Sequence, residues 1–288
     1  MSARPGLFDP PGPRARRRHA VLTALGILIA GAALALALRK LAQASQLQGY
    51  MWAAFGKPEV WTEYLIPGLW GTFVAAAISV LLAGVFGLVF GVGRLSRYRT
   101  VRWGCGAVVE FFRAVPVLIM MIFAFSLYAG NQVFPSAFNP LAAVVTGLTL
   151  YNGSVIAELV RSGVHNLPKG QTEAGLSIGL APAQILLAIQ LPQALTAMLP
   201  ALIGQMVVVL KDSALGYAIT YQELLNWSKT LGSAYANTVP AYLVAALLFI
   251  VINYSLTNIA ERVQRRVSRR GARRTEPVTP VVGPAADA

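Results

Sequence analysis

The sequence predicts an all-α polytopic membrane protein with six transmembrane helices. Three observations carry this. Hydrophobic residues make up 56% of the 288 and charged residues only 12%, about half the share usual in a soluble domain. Mean hydropathy is +0.60. The apolar residues gather into runs, with basic residues in short flanks between them; runs of about 20 residues match a hydrocarbon core of about 30 Å. Lipid offers the backbone no hydrogen-bond partners, so each run must satisfy its own and is expected to be helical.

The elements follow in chain order. Residues 1–19, rich in Pro, Gly and Arg, read as a disordered basic cytoplasmic tail. Residues 20–38 are apolar and uncharged and read as a first transmembrane helix. A signal peptide is the competing reading. However, the run is long for an h-region, and Arg39-Lys40 follows it rather than a cleavage site. Residues 39–64 carry Tyr50, Trp52, Phe55, Trp61 and Tyr64 around Pro58, an external connector at headgroup level. The second span covers residues 65–93. Its Gly87 and Gly91 have the spacing that lets a neighbouring helix come close. Arg94, Arg97, Arg99 and Arg102 follow in a short loop.

The third span is expected over residues 104–129. Glu110 and Arg113 share a helix face there and can pair, and Pro116 should kink the helix. Charges inside a span cost about 2.5–3.5 kcal/mol each, so they face protein or water. The fourth span, residues 140–160, holds Asn152, Gly153 and Ser154, then Glu158 before Arg161. The glycosylation triplet at 152–154 lies in mid-span and is discounted. The fifth begins near residue 195. Lys211-Asp212-Ser213 then separates it from a second apolar stretch, residues 214–220, which suggests a break or a cavity wall. Residues 221–238 form a polar external loop, residues 239–260 the sixth span, and residues 261–288 a basic cytoplasmic tail.

Charge sets the orientation. With both termini inside, most of the 24 Lys and Arg lie on the cytoplasmic side, leaving Arg39, Lys40, Lys57 and Lys229 outside. The net charge of +13 therefore reads as topology and anionic-lipid contact, not nucleic-acid binding. The lone Cys105 has no internal disulfide partner, and His19 and His165 lack the spacing of a metal site. No Ser/His or His/Asp constellation suggests an intramembrane enzyme.

The same charge argument puts residues 171–193, QTEAGLSIGLAPAQILLAIQLPQ, in the cytoplasm. They have helix-turn-helix punctuation: Gly179 can end one helix in the left-handed conformation, Pro182 suits the start of the next, and Pro192 marks a break. An amphipathic hairpin lying on the bilayer would also fit. Glu173-Ala174-Gly175, then Gly179, then Ile189-Gln190-Leu191-Pro192 resembles the cytoplasmic EAA coupling loop of ABC-importer permeases, with Gly175 where the family has a second Ala. The resemblance widens. Residues 109–117, VEFFRAVPV, resemble the ELFRGTPLL segment of polar amino-acid permeases. Residues 148–163 are similar to their span before the loop, residues 167–174 to their VPKGQxEAA entry, and residues 210–215, LKDSAL, to their LKDTSL. On these motifs the chain is identified as a member of the His/Glu/Gln/Arg class of ABC permeases, with a common core at residues 65–260 and a coupling loop at 161–194. The extra first helix and residues 201–217 look most like glutamate-uptake permeases.

That resemblance implies import driven by ATP hydrolysis on a partner. Nothing in the chain reads G-x-x-x-x-G-K-[ST], so no cofactor is expected here and ATP-Mg would sit on an ABC ATPase dimer. A second permease chain, identical or related, and an extracytoplasmic amino-acid-binding protein complete the expected set. Glu173, Ala174, Gly175, Gly179, Ile189, Leu191 and Pro192 are the expected ATPase-coupling residues, with Leu176, Ile178 and Leu180 docking beside them. For substrate carboxylates crossing a bacterial cytoplasmic membrane, Arg113, Asn152, Ser154, Lys211 and Asp212 are pathway candidates. Glu110–Arg113 and Lys211–Asp212 could equally be structural ion pairs. The alternative function is an autonomous ion-coupled amino-acid carrier, with Glu158 and Asp212 as proton sites and broken helices as the binding region.

Overall fold

The computed structural model describes residues 12–272, with side chains as far as Arg262. It is all helical. The major helices are α1 (Pro13–Gln43), α2 (Ile66–Arg94), α3 (Arg99–Ala114), α4 (Val117–Gly130), α5 (Asn139–His165), α6 (Gly170–Ser177), α7 (Leu191–Asp212), α8 (Leu224–Ala234) and α9 (Thr238–Ala272). Among the described residues, five helical runs are long and apolar enough to cross a membrane, or six if α3 and α4 count as one broken span.

The least apolar span is the central one. The best window of α5 has a mean hydropathy of 1.4 and is 56% buried, whereas that of α1 has 2.5 and is 0% buried. Surface facing lipid must be apolar, while a helix wrapped by protein can carry Asn, Ser and Glu. Helices α2, α3, α4 and α7 all pack on α5. Gly87 and Gly91 bring α2 close to it. A Cβ on Gly87 would meet Ile156, and one on Gly91 would come within 2.9 Å of Val160. The close-approach reading of that spacing is therefore correct. The core between these helices contains Ala75, Met121, Val144, Leu148 and Val209.

The third span is not a single kinked helix over residues 104–129. It is two helices bent by 99° about Pro116. Val115 is extended at φ −85°, ψ 129° and Pro116 has ψ 132°. Proline has no N–H to continue the ladder and pushes its predecessor out of the helical region. Because α4 packs along α5, this bend turns α3 across the end of the bundle where α2 and α5 finish in Arg94 and His165.

Other boundaries also moved. The basic flank expected to be disordered to His19 is helical from Pro13, with Pro at the first turn and good helix formers behind it. Residues 1–11 lie outside the described residues. The sixth span continues past residue 260 to Ala272. The tail beyond residue 272 again lies outside. The external connector is a chain of short helical turns that runs without a break from Pro58 into α2. The polar loop at residues 221–238 contains α8.

Candidate functional site

The hairpin at residues 170–190 is built by local rules. Helix α6 ends at Gly179, φ +81°. The Gly179 amide donates to Leu176 O at 3.0 Å and the Leu180 amide to Gly175 O at 3.1 Å. This pair of reversed bonds is the Schellman closure, which needs a left-handed residue at its corner. The next helix starts with Pro182 in its first turn, and Gln184 Oε1 accepts from the Ala181 amide at 2.8 Å. That is half of a capping box, since Ala181 has no side-chain oxygen to return. From Ile185 to Gln190 the helix widens to π geometry before Leu191 and Pro192 open α7.

Tertiary contacts hold the two arms at their angle. Gln190 Nε2 donates to Thr172 Oγ1 at 3.0 Å, and Gln193 Nε2 to Gln171 Oε1 at 3.4 Å. Gly175 is buried against Ile185, and a Cβ there would stand 2.8 Å from the Ile185 side chain. Gly in place of the family's Ala thus fits the packing of this particular hairpin. Glu173 and Ala174 stay exposed. So do Leu176 at 51% and Ile178 at 75%. Leu180, Ile189 and Leu191 are half-buried and Pro192 is exposed. The outer surface thus offers one carboxylate beside uncovered apolar side chains.

Three helices, α2, α3 and α5, converge on charge at the same end of the bundle. Arg94 reaches Glu110 at 3.0 Å and Glu158 at 2.8 Å; Arg161 reaches Glu158 at 2.5 Å. Arg113 pairs with Glu110 at 3.4 Å and approaches Glu158 at 3.8 Å. The expected Glu110–Arg113 pair is therefore real, but it is part of a larger cluster tied to α2 and α5. In the sequence Arg94 stands out only as loop charge. Its 12% exposed side chain joins the two acids at shorter distances than Arg113 does.

Asn152 lies elsewhere. It is fully buried on α5, donates to Leu148 O at 2.9 Å and accepts from Gln205 Nε2 on α7 at 2.5 Å. Gln205 also lines an otherwise apolar cavity of about 150 Å³ between α2, α5 and α7. It was missed as a candidate, although a lone amide in an apolar run is itself a signal that a partner exists. Ser154 is fully buried, with its hydroxyl unpartnered. Lys211 and Asp212 end α7, and a 3-10 stretch, Ser213–Ile219, follows. The expected helix break is present there. Among the described residues the two form no ion pair with each other, and Lys211 is exposed. The five pathway candidates therefore do not form one constellation.

The opposite end is tied by a different set. Tyr221 donates its hydroxyl to Gly71 O at 2.7 Å, and Thr72 Oγ1 accepts from the Leu224 amide at 3.2 Å. Glu223 is fully buried as the N-cap of α8, accepting from the Leu225 amide at 2.7 Å and the Asn226 amide at 2.8 Å. Burial pushes its carboxyl up to about 7 against those two amide bonds. Burial, with Glu223 nearby, holds the Tyr221 phenol up at about 12. Among the described residues no group of His, Cys, Asp and Glu is placed to hold a metal.

Comparison with known proteins gives these features a setting. Residues 83–269 match the family model described as the binding-protein-dependent transport system inner membrane component. The glutamate transport system permease protein GluD of Corynebacterium glutamicum is 49% identical over 229 residues, covering 80% of this chain and 84% of that protein. The probable glutamine ABC transporter permease protein GlnP of Bacillus subtilis is 32% identical, covering 72% of this chain and 93% of its own. A crystal structure of an amino acid ABC transporter with histidines superposes with a TM-score of 0.65 at 23% identity, covering 72% of this chain and 95% of that one. An inward-facing MetNI methionine ABC transporter gives 0.63 at 22%, covering 73% and 98%. These two likenesses establish the fold.

Proposed function

Because this chain belongs to the family of binding-protein-dependent transport system inner membrane components, we propose that it carries a polar amino acid into the cell, with glutamate the first candidate. It is the multi-pass permease subunit of an ABC importer, and ATP hydrolysis resides on a separate subunit. The glutamate assignment leans on the similarity to GluD. An ABC ATPase dimer, a second permease chain and an extracytoplasmic binding protein are its proposed partners. Both termini are placed in the cytoplasm by charge.

The observation that carries this reading is the hairpin: two short arms locked at Gly179, with Glu173, Leu176 and Ile178 turned outward. Such a rigid, partly apolar projection suits a groove on an ATPase. Closure of the ATPase dimer would pull on α7 through Leu191 and Pro192 and on α5 through residues 166–169. Force would then reach α2 and α4, which pack on α5. Glu173, Ala174, Gly175, Gly179, Ile189, Leu191 and Pro192 are the proposed coupling residues. Arg113, Asn152, Ser154, Lys211 and Asp212 remain proposed pathway residues. Arg113 belongs to the exit end, since it sits in the ion cluster. Arg113→Lys that leaves uptake and substrate choice unchanged would remove it.

The test is purification of the tagged chain in gentle detergent, with mass spectrometry of what accompanies it. An ATPase is expected, and Glu173→Lys should lose it while the chain still inserts. A stable, transport-competent chain without an ATPase would defeat the proposal.

A further inference from the structure

We propose that the cavity between α3 and the basic ends of α2 and α5 holds the phosphate headgroup of an anionic membrane lipid. The cavity has a volume of about 750 Å³. Arg94, Arg99, Arg102 and Arg161 line it, with Glu110 the only carboxylate in its wall among the described residues. That carboxylate is already held by Arg94 and Arg113. Arg94 and Arg161 are paired with acids. Arg99 and Arg102 form no ion pair among the described residues, and the single guanidinium bond of Arg102 is to Ser96 O at 3.0 Å. A paired back wall thus supports two exposed guanidiniums whose charge has no carboxylate partner among the described residues. His165 is also in the wall and provides a further donor.

Connectivity and the bend at Pro116 together shape the site. The short loop at residues 95–98 keeps the start of α3 beside the end of α2, and the 99° turn lays α3 across the ends of α2 and α5. Arg99, Arg102, Trp103, Gly106 and Glu110 then fall on one face of α3, at the spacing of successive helical turns. Small Gly106 and Ala107 leave room at the centre.

Two features favour a lipid over a soluble anion. The cavity lies at the level where the apolar part of α2 ends in Arg94. Trp103 is in its wall and 68% exposed. An exposed indole next to guanidiniums suits a headgroup boundary, with acyl chains on one side and phosphate on the other. Arg forks also match phosphate oxygens two at a time. The pocket would then fasten the α2–α3 corner to the membrane.

The experiment is native mass spectrometry of the full chain in detergent, titrated with palmitoyl-oleoyl phosphatidylglycerol or phosphatidylcholine. Wild type should retain the anionic lipid more strongly. Arg99→Gln with Arg102→Gln should weaken that retention roughly thirtyfold and leave phosphatidylcholine unchanged, as expected for two basic groups at a membrane surface. The Lys pair should keep most of it. If the Gln pair does not insert, Arg99→Gln alone, expected to lose about fivefold, carries the same test. Equal retention by wild type and the Gln variants would overturn the proposal. So would displacement of the lipid by an equal concentration of soluble glycerophosphoglycerol. Lipid retention is read without transport, so it stands or falls separately from amino-acid import.

Discussion

Substitution at Gly179 isolates the conformational requirement of the hairpin. Gly179 has φ +81°, and a Cβ built there meets nothing within 4 Å. A methyl group therefore costs no packing inside this chain, only backbone strain. Placing an L-residue in the left-handed region costs about 1–2 kcal/mol, and Asn is penalised less because its side chain bonds locally. Gly179→Ala should thus reduce the population of correctly angled hairpins by roughly five- to thirtyfold, if the corner is held by local contacts alone. Gly179→Asn should do less. Gly179→Pro should do most, since φ is locked near −65° and the bond to Leu176 O at 3.0 Å is lost. The order Gly, Asn, Ala, Pro is the prediction. The assay is uptake and ATP hydrolysis in vesicles holding the assembled importer, with amide hydrogen exchange over residues 170–190. If Asn proved worse than Ala, side-chain volume at a partner surface would be at work and the conformational argument would be refuted. Coupled uptake by a well-inserted Pro variant would refute it more simply.

Further predictions concern packing and protonation. Gly175→Ala forces its methyl against Ile185, which is 1% exposed. It should destabilise the hairpin by about 1 kcal/mol, the low end for overpacking, and Ile185→Val, which removes the Cδ1 but keeps the Cγ1 contact, should restore part of it in hydrogen exchange. Removing either amide of the Asn152–Gln205 pair deprives the other of that bond, leaving Asn152 Oδ1 or Gln205 Nε2 without its partner at a cost of about 1–3 kcal/mol. The double change to Leu should cost less than the sum in a thermal-unfolding cycle. Glu223 holds its proton up to about 7 when folded but only to about 4.5 when unfolded. The folded state therefore binds more protons between those values, so stability should fall as pH rises from 4.5 to 7 and level off above. The shift corresponds to about 3 kcal/mol at most. Glu223→Gln should flatten the melting-temperature profile over that window, and an unchanged slope would assign it to another group.

Much of the architecture was legible because membranes simplify the physics. Apolar runs had to be helices, and the basic residues between them mark where the runs end. The hairpin was legible because caps are local: Gly179 and Pro182 act within a few residues of themselves. Pro116 announced a break for the same reason. Its size was not legible, because a proline removes a bond and leaves the new direction to whatever packs on either side. Charge pairing was legible only where partners share a helix, as Glu110 and Arg113 do.

What the sequence by itself determined is therefore the helical class, the number of apolar runs, the basic end, and the position and turn chemistry of the hairpin at residues 170–190. Only the tertiary structure decided that α5 is the hub, that Arg94 joins Glu110 to Glu158, that Asn152 meets Gln205, and that Gly175 must be small to admit Ile185. Helical periodicity shows which residues share a face. Which face meets which neighbour depends on the packing of whole helices, and that information is spread across residues far apart in the chain.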